Sequence, residues 1–270
     1  MDYLTIAILN YNSGTQLKKC LESIPVSIAG THIEKIVIDN SSEDNSWKAA
    51  EEFGFKVIHA DNKHFFITGI NKAIESFEGE YLLFSQADLV FEKNCISRLL
   101  KAIEERQDSI IQPVFFTPQG KIDNAGMNWV WPGYGLGIHW ILSNSIYQTD
   151  IATSITFITS RKVLDKVGHF DTRFSPAYYE DCDYAIRCKK LWIKHYVEPM
   201  AHVTHWHNSA FSKIYSKPEL SEICYINRLM LVEKHYKGLD RRLRLKVIHA
   251  AQYLRNAISS LGNKTVEGSS

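Results

Sequence analysis

The fold class of this chain is decided by the stretch Leu4-Thr5-Ile6-Ala7-Ile8-Leu9-Asn10-Tyr11-Asn12. Its short, continuous apolar run is typical of a β-strand that is buried on both faces of a sheet. Similar runs return at residues 33–38, 55–59 and 81–85, and segments with helical periodicity separate them. Strands that alternate with helices in this way predict an α/β fold with a Rossmann-like, doubly wound and mainly parallel sheet.

The predicted helices between these strands have recognisable ends. The first is expected to stop before Pro25, and the second is expected to begin with a cap at Ser42 or Asp44 and to run through Glu52. The third helix is expected around residues 69–77.

Polar side chains follow each of the four predicted strands, in residues 10–12, 39–42, 61–63 and 86–88. In open α/β sheets, ligands bind at the edge formed by the carboxyl ends of the parallel strands. The first half of the chain therefore predicts a site for a ligand of nucleotide size.

The composition excludes several classes of protein. The chain has 270 residues, of which 45% are apolar and 23% charged, so it can bury a large core and is not typical of disordered proteins. Lys and Arg number 31 against 30 Asp and Glu, and this net charge of +1 does not favour a nucleic-acid partner. The five cysteines are odd in number and never form a C-x-x-C pair, which favours a reducing compartment.

The N-terminus is a poor signal peptide, because Asp2 and no basic residue precedes its apolar run. No apolar run reaches the ~18–20 residues that span a bilayer. We therefore expect a cytoplasmic location, with any membrane contact made peripherally at the inner face of the membrane.

The charge is unevenly distributed along the chain. Residues 211–256 contain ten Lys and Arg but four Asp and Glu, and residues 241–248 form a basic amphipathic stretch in a region that is helical by pattern. Such a stretch suits anionic lipid headgroups, although a solvated helix face or a contact in a homo-oligomer fits it equally well.

The polar strand ends and a later acidic motif together resemble family 2 glycosyltransferases, which have the GT-A fold and transfer sugars from nucleotide sugars. The similarity is greatest to the bacterial rhamnosyltransferase-like branch. It implies a GT-A catalytic domain over residues 1–215, with a nucleotide-binding half (1–110) and an acceptor half (111–215), and a basic helical segment over residues 216–270. The motifs that carry the resemblance lie at residues 8–12, 37–44, 61–72, 167–174, 179–187, 199–205 and 225–228.

The resemblance implies which residues bind the donor base. Asp39 would accept the imide N–H of uracil or thymine, Tyr11 would cover the base, and Asn10 or Asn12 would bond the base or the ribose. The alternative for Asp39 is a turn-forming role, and Ser41 fits a cap as well as it fits a ligand contact.

A further segment of the resemblance concerns the donor diphosphate. Asn62, Asn71 and Lys72 are candidates to face it, with Lys72 supplying positive charge near the start of a helix. The alternative for Lys72 is a solvated side chain on an amphipathic helix.

Gln86-Ala87-Asp88 occupies the place of the D-x-D motif with which the family holds a divalent cation against the donor diphosphate. Mg²⁺ and Mn²⁺ prefer carboxylate and phosphate oxygens, so Asp88 is the implied ligand, although Gln86 departs from the motif and should weaken metal binding. The alternative for Asp88 is to cap the next helix. The resemblance implies His205 as the second metal ligand, and His207 is the alternative to it.

Glu180-Asp181-Cys182-Asp183 matches the family's E-D-x-D segment. Sugar transfer with inversion needs a base that takes the proton of the acceptor hydroxyl, and the resemblance implies Asp181 for this role. Glu180 would hold the acceptor, and Asp183 is expected to pair with Arg187 one helical turn later. The alternative is an acidic helix N-terminus without a catalytic role.

These inferences predict an inverting glycosyltransferase that uses a UDP- or dTDP-sugar, a divalent cation and a saccharide acceptor, potentially lipid-linked, in bacterial surface polysaccharide synthesis. One alternative is a catalytically degenerate GT-A module that binds nucleotide sugar or a partner protein. A nucleotidyltransferase shares the strand–helix alternation, but it normally needs a Gly-rich, basic loop after the first strand, and residues 10–14 do not form one.

Overall fold

The computed structural model of the chain describes residues 2–28, 30–63, 65–207 and 214–267. The first half alternates strands with helices, in the order β1 (Asp2–Asn10), α1 (Thr15–Ser23), β2 (Thr31–Asp39), α2 (Lys48–Glu52), β3 (Lys56–His59), α3 (Phe66–Ser76) and β4 (Tyr81–Gln86). The next elements are β5 (Leu89–Phe91), α4 (Cys95–Glu104), β6 (Ser109–Phe116), β7 (Ile122–Asn124), β8 (Met127–Val130), β9 (Tyr134–Gly137) and β10 (Tyr147–Thr149). The chain continues through β11 (Thr156–Ser160), α5 (Arg161–Val167), a short 3₁₀ helix (Thr172–Phe174), α6 (Glu180–Lys190), β12 (Lys194–His205), α7 (Lys217–His235) and α8 (Gly238–Glu267).

The main sheet confirms the predicted GT-A-like, mainly parallel architecture. Strands β3, β2, β1 and β4 lie side by side and run parallel, and Asn10 is aligned with Asp39 at the carboxyl ends of β1 and β2. Beyond β4 the sheet becomes mixed, because β11 pairs antiparallel with both β4 and β6 while β12 runs parallel to β6. The strand order is β10-β12-β6-β11-β4-β1-β2-β3.

The two faces of β1 account for its continuous apolar run. Ile6 and Ile8 pack in one buried cluster with Leu17 of α1, while Ala7 and Leu9 pack in a second cluster with α3 on the opposite face. Since both faces of its middle are covered, β1 can offer polar side chains to solvent or a ligand only at its two ends.

Two predicted helix starts are corrected. Helix α2 begins at Lys48, so neither Ser42 nor Asp44 caps it; the Asp44 carboxylate instead accepts hydrogen bonds from the backbone N–H groups of Gly14 and Ser46. Helix α3 begins at Phe66 rather than near Gly69, because its apolar face already packs on the sheet from Phe66 onward.

Helices α7 and α8 follow the sheet and pack against each other. Ser216 and Glu219 form a capping box at the start of α7, in which the hydroxyl accepts from the Glu219 N–H and the carboxylate accepts from the Ser216 N–H. Within the described part of the chain, no helix is both long and apolar enough to cross a membrane.

Candidate functional site

A cleft of about 490 Å³ opens at the carboxyl edge of the parallel strands. Its walls come from elements that are far apart in sequence: Gln86 at the end of β4, Tyr134 of the β8–β9 hairpin, Glu180 and Asp181 at the start of α6, and His205 at the end of β12. The sheet therefore brings the predicted acidic pair and part of the predicted metal site to one cavity.

Asn10 and Asp39 form the buried base of a polar cluster at the ends of β1 and β2. The Asn10 Nδ2 donates to Asp39 Oδ1 at 2.9 Å and to the Ser46 hydroxyl at 2.8 Å. The second oxygen of Asp39 accepts from the Ser42 N–H at 3.2 Å. These contacts agree with a turn-forming role for Asp39. The contact of Asp39 with a donor base stays a prediction.

Asn12, Ser41 and Asn62 stabilise the loops around that cluster. Asn12 Oδ1 accepts from the Glu43 N–H at 2.8 Å, and the Ser41 hydroxyl donates to the carbonyl of Ala60 at 2.9 Å. Asn62 Oδ1 accepts at 2.7 Å from Asn40, a buried residue that the sequence analysis did not single out. Half-buried Tyr11 lies beside this network in the chain, and the ligand contacts of all these residues stay predictions.

Asn71 bonds to the loop that leads to α6, and its predicted contact with the diphosphate stays a prediction. Its amide nitrogen donates to the carbonyl of Phe170 at 2.9 Å, and its amide oxygen accepts from the Phe170 N–H at 2.8 Å. Both ends of the side chain therefore hold the loop that leads to α6. Lys72 lies 3.5 Å from Glu75 on its own helix, and its diphosphate contact stays a prediction.

Asp88 and His205 come together because β5 pairs with β12, with Leu89 aligned to His205. Both side chains are buried, and His205 Nε2 lies 3.4 Å from Asp88 Oδ2. Neither carboxylate oxygen of Asp88 accepts a hydrogen bond from the described residues. Asp88 does not cap the next helix, whose N-cap is Asn94.

Asp123 of β7 is a third member of this group that sequence reasoning missed. Its Oδ2 lies 3.2 Å from His205 Nδ1 and 3.0 Å from His207 Nε2. Burial by itself would lower the pKa of His205, but its hydrogen bond with Asp123 and the negative charges of Asp123 and Asp88 raise it to about 9. No sequence motif includes Asp123. It reaches the site only because β7 pairs with β6.

Asp123, His205 and His207 form a group that fits a divalent cation, and Asp88 lies at the other ring nitrogen of His205. Ligand atoms of Asp123, His205 and His207 all lie within 4.8 Å of one another, and the buried Asp88 oxygens lack hydrogen-bond donors. Carboxylate and imidazole donors suit Mn²⁺, and a cation would replace the proton that His205 holds between two carboxylates. Gln86, half-buried on the cleft wall, adds a neutral oxygen at most.

The acidic pair begins helix α6. Glu180 is buried, and its Oε1 accepts from the Ser154 hydroxyl at 2.8 Å. Burial, followed by repulsion from Asp181, raises the pKa of Glu180 to about 8. Asp181 is half-buried, its Oδ1 accepts from the Cys182 N–H at 2.7 Å, and burial raises the pKa of this carboxyl as well. At neutral pH the pair therefore favours one negative charge over two.

The loop before α6 is held by Asn227 of α7. Its amide nitrogen donates to the carbonyls of Phe174, Ala177 and Tyr178 at 2.9 to 3.0 Å. Asn227 lies in the motif at residues 225–228, yet only the tertiary structure shows that its partners directly precede the acidic pair.

Helix α7 also contacts Asp183, which follows the acidic pair. The predicted pair with Arg187 is present at 3.0 Å, and Lys234 and His235 each approach Asp183 Oδ1 at 2.6 Å. Asp183 thus links α6 to α7 and is turned away from the cleft-lining group.

We predict that Glu180→Gln stabilises the protein in a pH-dependent way. Because the pKa of Glu180 is raised in the folded state, wild-type stability is fully present below its ordinary value near 4.5 and declines as the pH rises toward about 8. Gln stays neutral, so the variant should melt at the wild-type temperature at pH 4.5 and higher at pH 8.5, by about 2–4 °C for each kcal/mol gained. Calorimetry with exposed Glu51→Gln as the control measures this, and equal melting temperatures at pH 8.5 would contradict it.

Comparison with known proteins identifies the family to which this chain belongs. The profile described as Glycosyl transferase family 2 matches residues 5–169, more than half of the chain. EpsH of Bacillus subtilis strain 168, which carries a glycosyltransferase name, is 30% identical over 113 residues, or 40% of this chain and 32% of EpsH. The dolichol-phosphate mannosyltransferase of Pyrococcus furiosus is 24% identical over 135 residues, or 48% of this chain and 36% of that enzyme. The matches thus span about a third of these relatives.

A solved structure shows the same fold. The crystal structure of GalNAc-T7 with UDP, GalNAc and Mn²⁺ aligns with a TM-score of 0.66 at 15% identity, over 84% of this chain and 48% of that one. At this identity the likeness establishes the GT-A-like architecture, while the profile match rests on the sequence itself. The chain belongs to glycosyltransferase family 2.

Proposed function

We propose that this glycosyltransferase moves a sugar from a UDP- or dTDP-sugar to a hydroxyl group of a saccharide acceptor, with inversion at the anomeric carbon. The observation that carries the proposal is that Asp181 and His205 line one cleft, so a base and a cation-binding group face the same ligand space. The bound UDP of GalNAc-T7 supports a uridine donor, and thymine offers the same imide N–H to Asp39. A lipid-linked saccharide from bacterial surface polysaccharide synthesis is the acceptor that we propose.

Asp181 is the proposed general base. Its half-buried carboxylate takes the proton of the acceptor hydroxyl while that oxygen attacks the anomeric carbon from the side opposite the leaving group. The new C–O bond forms as the bond to the diphosphate oxygen breaks, and the nucleoside diphosphate leaves with that electron pair. Neutral Glu180 remains available to donate a hydrogen bond to the acceptor, because burial keeps its carboxyl protonated near neutral pH.

The group of Asp88, Asp123, His205 and His207 is the proposed cation site. A bound Mg²⁺ or Mn²⁺ would supply positive charge next to the diphosphate of the donor. The four side chains would hold the cation, and the buried position of Asp88 and His205 keeps their ligand atoms out of bulk water.

Asp181→Asn should lower the rate of transfer about a hundredfold or more while donor binding is retained, since Asn keeps the shape of the side chain and cannot accept the proton. Release of UDP or dTDP from a panel of nucleotide sugars, offered with a membrane lipid extract, measures transfer, and calorimetric titration with UDP measures binding. Asp165→Asn, an exposed change on α5, is the matched control. Near-normal transfer by Asp181→Asn would exclude this base, and binding without transfer by the wild-type protein would favour the degenerate binding module.

Mn²⁺ should raise the melting temperature of the wild-type protein, and EDTA should remove this gain along with transfer activity. Asp88→Asn and Asp123→Asn should each weaken Mn²⁺ binding about tenfold or more, because each removes a charged oxygen ligand. Asp165→Asn should bind Mn²⁺ as the wild type does. Transfer that persists undiminished in EDTA would overturn the proposed cation site.

We also propose that α8 contacts an anionic membrane surface. Its outer face exposes Leu239, Leu243 and Tyr253, with Leu239 72% and Tyr253 75% exposed, and Arg242 and Lys246 lie exposed along it. Arg244 of the same basic stretch is used internally, since its guanidinium donates to the carbonyl of Pro132 and bonds Asp240.

Sedimentation with lipid vesicles tests this contact. Vesicles that contain phosphatidylglycerol should bind the protein, and a variant with both Arg242→Glu and Lys246→Glu should bind more weakly by about thirtyfold or more, since each of the two basic residues contributes about 1 kcal/mol near the surface. Lys166→Glu on α5 is the control. Equal binding to neutral and anionic vesicles would contradict the proposal.

A further inference from the structure

A small buried chamber lies behind the acidic pair. Its volume is about 10 Å³, which is room for one water molecule. Thr153, Ser154 and Asp181 line both this chamber and the open cleft, so Asp181 stands in the wall between them. His195 of β12 and Tyr184 of α6 line the chamber from the other side.

Polar side chains border this chamber, whose remaining lining is largely apolar. His195, Thr153 and Tyr184 are nearly fully buried, at 4%, 4% and 2% exposure. Among the residues that the structure describes, none forms a hydrogen bond with His195 Nε2, Thr153 Oγ1 or the Tyr184 hydroxyl. Buried polar atoms normally have partners, and three of them around a space of this size indicate a bound water.

The backbone fixes the tautomer of His195. The N–H of Ala152 donates to His195 Nδ1 at 2.8 Å, so Nδ1 is an acceptor and the ring proton is on Nε2. Burial lowers the pKa of His195 to about 4, which keeps the ring neutral at physiological pH. His195 therefore presents a hydrogen-bond donor, without a positive charge, to the chamber.

We infer that the chamber holds one water molecule through which His195 positions the carboxylate of Asp181 and stabilises its ionised form. The water accepts from His195 Nε2–H and from the Tyr184 hydroxyl, and it donates to Asp181 and to Thr153 Oγ1. This inference rests on the proposed role of Asp181 as the base. It makes His195 a positioning residue, since the ring acts on the base and does not touch the substrate.

A neutral donor behind the base has a chemical advantage. Burial raises the pKa of Asp181 and favours its protonated form, in which it cannot accept a proton. A hydrogen bond to the carboxylate favours the ionised form, and a neutral donor does so without lowering the proton affinity of the base as far as a positive charge would.

Other titratable groups also surround Asp181 and must be considered in any titration. Glu180 and Cys182 lie on its own helix, and the cleft is also lined by Tyr134, Tyr178, Tyr179, Cys224, His205 and His207. The variants below leave all of these unchanged.

The experiment is a titration of the wild-type protein labelled with [¹³Cγ]aspartate, in which the Asp181 resonance is identified by its loss in Asp181→Asn. His195→Asn keeps an acceptor for the Ala152 N–H but loses the donor into the chamber, and Tyr184→Phe removes the hydroxyl while its ring stacking on Phe170 is kept. In both variants the proton affinity of Asp181 should rise about tenfold, so its midpoint moves to higher pH. His195→Gln restores a donor at the reach of Nε2 and should return the midpoint toward the wild-type value.

Unchanged Asp181 midpoints in folded His195→Asn and Tyr184→Phe would overturn the inference, as would a His195→Gln midpoint equal to that of His195→Asn. A purely structural role would lower the melting temperature without moving the midpoint. Transfer by Asp181→Asn is assayed separately: activity in that variant refutes the base, whereas an inactive Asp181→Asn with unmoved midpoints refutes only the role of His195.

Discussion

Strand β1 is hydrogen-bonded to a parallel strand on each edge and covered by apolar side chains on each face, and the site depends on this central position. A polar side chain of a strand so enclosed can reach a ligand only at an end of the strand, which is where Asn10 lies. The parallel pairing with β2 and β4 then collects Asn10, Asp39 and Gln86 at one edge of the sheet. The cleft lies at that edge, and the rest of the molecule supplies the walls.

The walls of the cleft contain buried acidic groups whose negative charge must be balanced. At the start of α6, Glu180 is buried beside half-buried Asp181, and the raised pKa of Glu180 means that the pair favours a single charge. The helix N-terminus, the Ser154 hydroxyl and the Cys182 N–H compensate in part for the lost hydration. On another wall, His205 lies between Asp88 and Asp123, where a proton or a cation balances the two carboxylates.

Helices α7 and α8 contribute both to the positioning of the site and to the charged surface of the protein. Through Asn227, α7 holds the carbonyls of the loop that delivers Glu180 and Asp181, and through Lys234 and His235 it holds Asp183. The following helix has Arg244 turned inward and Arg242 turned outward. The basic C-terminal segment therefore cannot be understood as a charged appendage alone, since removal of α7 would release the loop before the acidic pair.

The sequence by itself determined those features that depend only on residues close together in the chain. The apolar run of β1, the alternation of strands and helices, the strand-end polar residues and the E-D-x-D segment all follow from short patterns, and the family follows from their order. Only the tertiary structure showed which of those polar residues hold a loop through hydrogen bonds to distant parts of the chain. Asn71 pairs with Phe170, 99 residues away, and Asp123 joins His205 across 82 residues, because sheet pairing and helix packing set these distances. His195 shows the same limit: nothing in its neighbourhood in the sequence indicates a buried donor behind Asp181, since that arrangement exists only once β12 and α6 are packed together.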